Sequence, residues 1–357
     1  MQFELHFQAC FCNLIYIFKP KPVTVKKILL IRFSSIGDIV LTTPVIRSLK
    51  KQIDCELHAL TRKRYSGLYQ NNPHVDKVYA FDENLPEIIN RLKNEQYDFV
   101  VDLQKNFRSI KVRKTLGVDS ASFPKVNIQK WLLVNFKINL LPKIHVVDRY
   151  FKAVEPLQVT NDGKGLEYFI PPEDELNLNS VDEQLTRGYI GFVIGGQHFT
   201  KIFPAEKVAE VINKLTIPVV LLGGKEDYNR GEEIIRLAPG KKVINTCGKF
   251  NLNQSASLVK QCTVLITNDT GLMHIGAAFN KPVISVWGNT VPAFGMYPYM
   301  PETNGKSFIS EVNGLKCRPC SKLGYKKCPK KHFKCMMNQD TTIIAMKAES
   351  FYKTKDA

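Results

Sequence analysis

Residues 28 to 31, Ile-Leu-Leu-Ile, form an apolar run with no polar residue inside it, bounded by Lys27 and Arg32. A strand with one wet face alternates apolar with polar residues. Such a run therefore asks for burial on both faces, as in a parallel sheet covered by helices. The requirement recurs along the chain. Residues 56–60 and 97–103 read as further strands of a first half, with one helix running through Leu49 and another over 86–93. Residues 189–194, 219–222, 264–267 and 283–286 read as strands of a second half, again with helical segments between them. Strands alternating with helices at this spacing give an α/β chain with two Rossmann-like halves.

Between the halves, residues 156–188 break the alternation with Pro156, Pro171, Pro172 and the acidic stretch Glu173, Asp174 and Glu175, a composition suited to a domain boundary. The expected division is an extension over 1–25, a first domain over 26–165, a linker over 166–188, a second domain over 189–345 and a tail over 346–357. With 357 residues and 44% apolar content, each domain can bury a core.

Lys and Arg outnumber Asp and Glu by 50 to 33, for a net charge of +17, which favours anionic partners. The excess is local. Residues 105–152 carry eleven basic residues against Asp119 and Asp148, and residues 316–335 carry eight against none. No recognisable DNA or RNA module accompanies this charge, so a nucleic-acid binder is disfavoured. No apolar run reaches the length of a membrane span, and residues 1–18 are interrupted by Glu4, His6, Gln8 and Asn13 and lack the features of a secretory signal. The expectation is a cytoplasmic protein, with an amphipathic surface anchor as a second reading of the first 25 residues.

The turn after the first strand, Arg32-Phe33-Ser34-Ser35-Ile36-Gly37-Asp38, holds one glycine where a dinucleotide fingerprint needs three, which disfavours an NAD-dependent dehydrogenase. It does place the Asp38 carboxylate at the carboxyl end of a central strand, where open α/β sheets bind ligands. Taken alone, Asp38 is either a general base or a helix N-cap. In the second half, Gly195, Gly196 and Lys201 precede a helix start at Pro204, an arrangement that suits a pyrophosphate and equally a plain turn. Glu226, following Gly223 and Gly224, is placed to hold ribose hydroxyls. Asn268-Asp269-Thr270-Gly271 follows another apolar strand and opens a helix that carries His274 one turn in. Short hydrogen-bonding groups at a helix N-terminus suit a phosphorylated ligand, while a cap and a core histidine are the plainer alternatives.

Cys317, Cys320, Cys328 and Cys335 stand in a C-x2-C-x7-C-x6-C array with His332 nearby. The first pair has zinc-like spacing and the second does not, so reduced thiols or a redox-dependent disulfide are expected ahead of a structural zinc. The odd total of nine cysteines suits a reducing compartment.

Taken in order, these stretches resemble glycosyltransferase family 9, the lipopolysaccharide heptosyltransferases, over about residues 27–340. Lys27-Ile28-Leu29-Leu30-Ile31-Arg32 with Ser34-Ser35-Ile36-Gly37-Asp38 and Thr43-Pro44 is similar to the family's opening, and Asn268-Asp269-Thr270-Gly271 with His274 is similar to its donor-site signature. The resemblance implies a GT-B fold, two Rossmann-like domains facing across a cleft, with the acceptor on 26–165 and the nucleotide-sugar donor on 189–345. It implies an inverting transfer of heptose from ADP-heptose to the lipopolysaccharide inner core, either Kdo-lipid A or a heptosyl-Kdo acceptor.

In that reading Asp38 is the catalytic base. Lys201 and Thr200 meet the phosphates, Glu226 the ribose, and Asp269, Thr270, Gly271, Leu272 and His274 the sugar diphosphate. Ser35, Gly37, Gln104, Lys105 and Arg108 fall on the acceptor side. No cofactor is implied. The absence of a paired-acid D-x-D motif argues against a catalytic metal, since lysine and helix N-termini can carry the leaving-group charge. Peripheral association with the cytoplasmic face of the inner membrane and no nucleic-acid partner are expected. The alternative is a GT-B enzyme that uses another nucleotide sugar or another glycan acceptor.

Overall fold

The first sheet comprises β1 (Lys27–Ile31), β2 (Glu56–Arg62), β3 (Lys77–Phe81), β4 (Phe99–Asp102) and β5 (Asp119–Ser122), in the order β3-β2-β1-β4-β5. The second comprises β6 (Ile190–Val193), β7 (Val219–Leu222), β8 (Val243–Asn245), β9 (Val264–Asn268), β10 (Val283–Trp287) and β11 (Ser307–Glu311), in the order β11-β10-β9-β6-β7-β8. Every paired register in both is parallel. The computed structural model describes residues 25–300 and 306–353. Apart from Val25, the expected extension over 1–25, with its anchor reading, lies outside the described residues.

β1 is covered as its sequence demands. Ile28 and Leu30 enter one apolar cluster and Leu29 and Ile31 another, one on each face of the sheet. β6 behaves in the same way, with Val193 in one cluster and Ile190 and Phe192 in another. Two parallel sheets with helices between their strands constitute the expected two-Rossmann α/β architecture of the GT-B kind.

The sequence reading omitted β3, β5, β8 and β11, and all four are sheet edges. An edge strand has one paired flank and less burial, so Asp119-Ser-Ala-Ser can be a strand without any apolar run. The single helix expected through Leu49 is two: α1 (Ile36–Val40) and α2 (Thr43–Gln52). The Thr42 and Thr43 hydroxyls donate back to the Ile39 and Val40 carbonyls at 2.7 and 2.8 Å, and Pro44 starts the second helix, which together break the run. The tail expected from residue 346 is also corrected. A helix spans Thr341–Lys353 and buries Ala348, so residues 346–353 belong to the packed second half.

Both sheets have a switch point. The chain winds from β1 outward to β3 and returns to β4 on the other side of β1, and it winds from β6 outward to β8 and returns to β9 on the other side of β6. A crevice opens at such a point outside the carboxyl ends of the two central strands. The Arg32–Asp38 turn leaves β1 there. In the second half, the Gly195–Lys201 loop leaves β6 and the Asp269–Gly271 turn leaves β9 at the matching place.

Candidate active site

The two crevices face a shared cavity of about 400 Å³. Ser35, Gly37, Asp38 and Lys130 line it from the first half, and Lys201, Asp269, Thr270, Gly271 and His274 from the second. The halves meet through glycines. A Cβ on Gly271 would lie 2.9 Å from Ile36 Cγ2, and one on Gly37 would lie 2.5 Å from His274 Cδ2, so the starts of α1 and of the Gly271–Ala278 helix touch only because neither residue has a side chain.

Asp38 is not the N-cap of α1, since Ser35 occupies that position and Asp38 lies three residues further on. Its Oδ2 accepts hydrogen bonds from the Ser35 backbone N–H at 3.1 Å and the Ser35 hydroxyl at 2.8 Å, and its Oδ1 pairs with the Arg32 guanidinium. Burial pushes the Asp38 pKa up, but Arg32, the two Ser35 bonds and His274 outweigh it and hold the carboxyl below its ordinary range. Asp38 is therefore ionised at neutral pH while its partners fix its orientation.

Across the cavity, Lys201 Nζ lies 2.6 Å from Asp269 Oδ2, which also accepts the Thr290 hydroxyl at 2.9 Å. Thr270 is the N-cap of the Gly271–Ala278 helix, and both Thr270 and Gly271 line the cavity, which brings the helix N-terminus to its wall. His274 is buried, and burial lowers its pKa to about 4, so the ring is neutral at pH 7. Among the described residues its Nδ1 has no hydrogen-bond partner. Lys130, on the helix Asn127–Phe136, is drawn down to about 8 by burial first and by Arg149 next, with Asp38 pulling the other way.

An ionised carboxylate thus shares a small cavity with a lysine and a helix N-terminus. That arrangement can take a proton from a hydroxyl on one side and receive a departing phosphate on the other.

The sequence profile of glycosyltransferase family 9 (heptosyltransferase) matches residues 86–326. The chain belongs to glycosyltransferase family 9. It is 29% identical over 289 residues to lipopolysaccharide heptosyltransferase 1 of Campylobacter coli, covering 74% of this chain and 84% of that protein. The fold matches the family 9 glycosyltransferase of Veillonella parvula with a TM-score of 0.73 at 22% identity, over 92% of this chain and 98% of that one. It also matches the E. coli heptosyltransferase WaaC with ADP-2-deoxy-2-fluoro heptose, with a TM-score of 0.63 at 18% identity, over 91% and 99% of the two chains.

In this family 9 glycosyltransferase the cavity wall gathers Ser35, Gly37, Asp38, Lys201, Asp269, Thr270, Gly271 and His274 from the residues singled out in the sequence. It does not include Thr200, Glu226, Leu272, Gln104, Lys105 or Arg108. Thr200 is buried, and its hydroxyl accepts the Tyr325 N–H at 2.8 Å, tying the cysteine-containing segment to the β6 loop. Glu226 is exposed and lies over Gly224, where a Cβ would stand 2.4 Å from its Oε2. Gln104 Oε1 accepts the Phe33 N–H at 3.0 Å and Lys105 Nζ donates to the Phe123 carbonyl at 3.0 Å, so both brace the β1 and β5 ends, while Arg108 is exposed.

The wall also includes residues to which the sequence gave no site role, among them Tyr65, Lys130, His198 and Lys322. Lys130 and Lys322 carried a signal in their place in the two basic segments, and His198 in its place in the loop between Gly195 and Lys201.

Among the described residues, the one set of three metal-capable side chains with ligand atoms within 4.8 Å of one another is Glu56, His58 and Glu95. Lys27 lies 2.9 Å and Lys77 2.6 Å from Glu95, and Lys27 lies 3.2 Å from Glu56, so ammonium groups already neutralise the carboxylates. In the cysteine array the thiols of Cys317, Cys320, Cys328 and Cys335 are free, and Cys317 Sγ lies 3.8 Å from His332 Nε2.

Proposed function

We propose that this enzyme transfers a heptosyl group from ADP-heptose, with inversion, to a hydroxyl of the lipopolysaccharide inner core. The observation that carries the reading is that the Asp38 carboxylate of the first half and the Lys201–Asp269 pair of the second line one cavity. The names of its relatives, a lipopolysaccharide heptosyltransferase and a heptosyltransferase holding an ADP-heptose analogue, support both substrates.

Asp38 accepts the proton of the acceptor hydroxyl as its oxygen attacks the anomeric carbon. The bond from that carbon to the diphosphate oxygen breaks, and ADP leaves with the electron pair. Lys201 and the N–H groups at the start of the Gly271–Ala278 helix meet the charge that develops there. Attack from the face opposite the leaving group inverts the anomeric centre. His274 is neutral, and its unpartnered Nδ1 is available to a donor hydroxyl or phosphate oxygen. Thr200, Glu226 and Leu272 belong to the donor side of this reading, and Gln104, Lys105 and Arg108 to the acceptor side.

The acceptor is an anionic glycolipid, so the enzyme works at the cytoplasmic face of the inner membrane as a peripheral protein. No helix among the described residues is long and apolar enough to cross a membrane. Mass spectrometry of the product from ADP-heptose and purified inner-core acceptor tests the reading. A mass increase of one heptose is expected. Transfer from a different nucleotide sugar, with none from ADP-heptose, would overturn it.

A further inference from the structure

The helix Asn127–Phe136 has two unlike faces. Lys130 lines the cavity together with Asp38, and Leu133 is buried. Ile128, Trp131 and Phe136 stand on the outside, 73%, 50% and 58% exposed, with the Trp131 and Phe136 rings edge to face at 5.2 Å. The apolar surface continues past the helix, where Ile138 and Leu140 are 49% and 61% exposed. Lys137 ends the helix and donates to the Pro319 carbonyl at 2.7 Å, which fixes the patch against the second half.

Charge selects the occupant. Residues 120–147 contain Lys125, Lys130, Lys137 and Lys143 and no acidic residue, and Arg108, Lys111 and Lys114 on the helix Phe107–Leu116 are exposed as well. Apolar and aromatic side chains set among cations suit the boundary between acyl chains and anionic headgroups, where tryptophan is favoured and lysine stems lie along the apolar surface with the ammonium in water.

We propose that Ile128, Trp131, Phe136, Ile138 and Leu140 insert into the interfacial layer of an anionic phospholipid bilayer. The inference rests on the reading of the acceptor as a membrane glycolipid and deepens it. One helix then joins the bilayer to the reaction: its outer face lies in the lipid while Lys130, on its inner face, meets the acceptor's polar head beside Asp38.

The chain has two tryptophans, and Trp287 is fully buried, so Trp131 reports on this surface. The test uses the full chain and vesicles of equal parts phosphatidylethanolamine and phosphatidylglycerol, with phosphatidylcholine vesicles for comparison. The parent is expected to sediment with the anionic vesicles and to show a blue shift in emission, which Trp131→Phe abolishes. A triple variant, Trp131→Ser with Phe136→Ser and Ile138→Ser, should lose about ten-fold in vesicle-bound fraction. Its turnover on a delipidated, water-soluble acceptor fragment should match the parent, and its turnover on vesicle-embedded acceptor should fall.

Bound parent with unshifted emission, or a triple variant that sediments like the parent, would overturn the assignment of this face and leave membrane attachment to another surface. A parent that does not sediment with any vesicle, yet glycosylates the soluble acceptor, would remove the bilayer and keep the transferase. A parent that is dimeric without lipid, beside a monomeric triple variant, would assign the patch to a second copy of the chain.

Discussion

Gly37 and His274 lie in opposite halves of the chain, and a Cβ built on Gly37 would come within 2.5 Å of the His274 ring. The contact sets how closely the Asp38 turn approaches the helix that follows Asp269. Gly37→Ala must push the ring or the helix back from a 2.5 Å approach to ordinary van der Waals contact, next to a base whose geometry governs the rate. Turnover is expected to fall about a hundred-fold while the melting temperature changes little. The paired variant Gly37→Ala with His274→Ala, which removes the obstructing ring, should recover packing. If Gly37→Ala turns over like the parent, the close approach is not part of the mechanism.

Asp38→Asn keeps the size of the side chain and one acceptor oxygen for the Ser35 donors, but cannot accept the hydroxyl proton. Transfer should drop by about two to four orders of magnitude, the span of a positioned general base, with ADP affinity retained. The substitution also leaves Arg32 without its ion-pair partner, so folding has to be verified by near-ultraviolet circular dichroism. A folded variant with near-parent turnover would remove Asp38 from proton transfer.

Lys201→Ala takes away a charge-assisted contact to the diphosphate, worth about 1.5 to 3 kcal/mol, so ADP affinity should fall about ten- to a hundred-fold. The structure adds a reason to expect the upper end. Asp269, now held by Lys201 at 2.6 Å, would keep only the neutral Thr290 hydroxyl as a partner and would leave its negative charge uncompensated beside the same anion. AMP, which has no β-phosphate, should show a smaller loss in calorimetry. Unchanged ADP affinity with weakened acceptor binding would exchange the roles of the two halves.

The charged and turn residues of the cavity that were readable sit at the ends of strands whose apolar runs announce themselves. Asp38, Lys201 and Asp269 each follow a doubly buried strand, and the carboxyl ends of β1, β6 and β9 gather at the two switch points. The profile match begins at residue 86, so the role of Asp38 rests on its motif and geometry. Lys130 and Tyr65 escaped for a physical reason: each comes from a segment whose place beside the cleft is set by tertiary packing, which local pattern does not encode. The edge strands β3, β5, β8 and β11 escaped for a related one, since the half-buried condition permits polar sequence.

His274 offers a stability measurement. Burial lowers its pKa to about 4 and that of His145 to about 3, both below the ordinary value of about 6.5. The unfolded chain therefore binds more protons than the folded one between those values. Each ring contributes stability that is present above pH 6.5 and is lost as pH falls toward its folded pKa. Urea unfolding at pH 7 and pH 5 should give a lower free energy at pH 5, by about 2 kcal/mol per ring. His274→Gln should remove one ring's share of that difference. An unaltered difference in the variant would mean that His274 does not carry the depressed pKa.

Lys130 should limit activity from the alkaline side. With its pKa drawn down to about 8 by burial, it loses its charge as pH rises through that value. KM for the anionic acceptor is expected to rise about ten-fold between roughly pH 7 and 9.5, the loss of one charge-assisted contact, with little change in kcat. Unfolding would not explain that limb. A lysine whose folded pKa lies below its unfolded value of about 10.4 binds its proton more readily when unfolded, so its contribution to stability grows as pH rises from about 8 to 10. Lys130→Arg carries a charge that does not titrate in this range and should flatten the KM profile, even where its bulk raises KM overall. Lys130→Met should show the raised KM at every pH. If the alkaline limb of the Lys130→Arg profile has the same midpoint as the parent, another group controls it and Lys130 does not meet the acceptor.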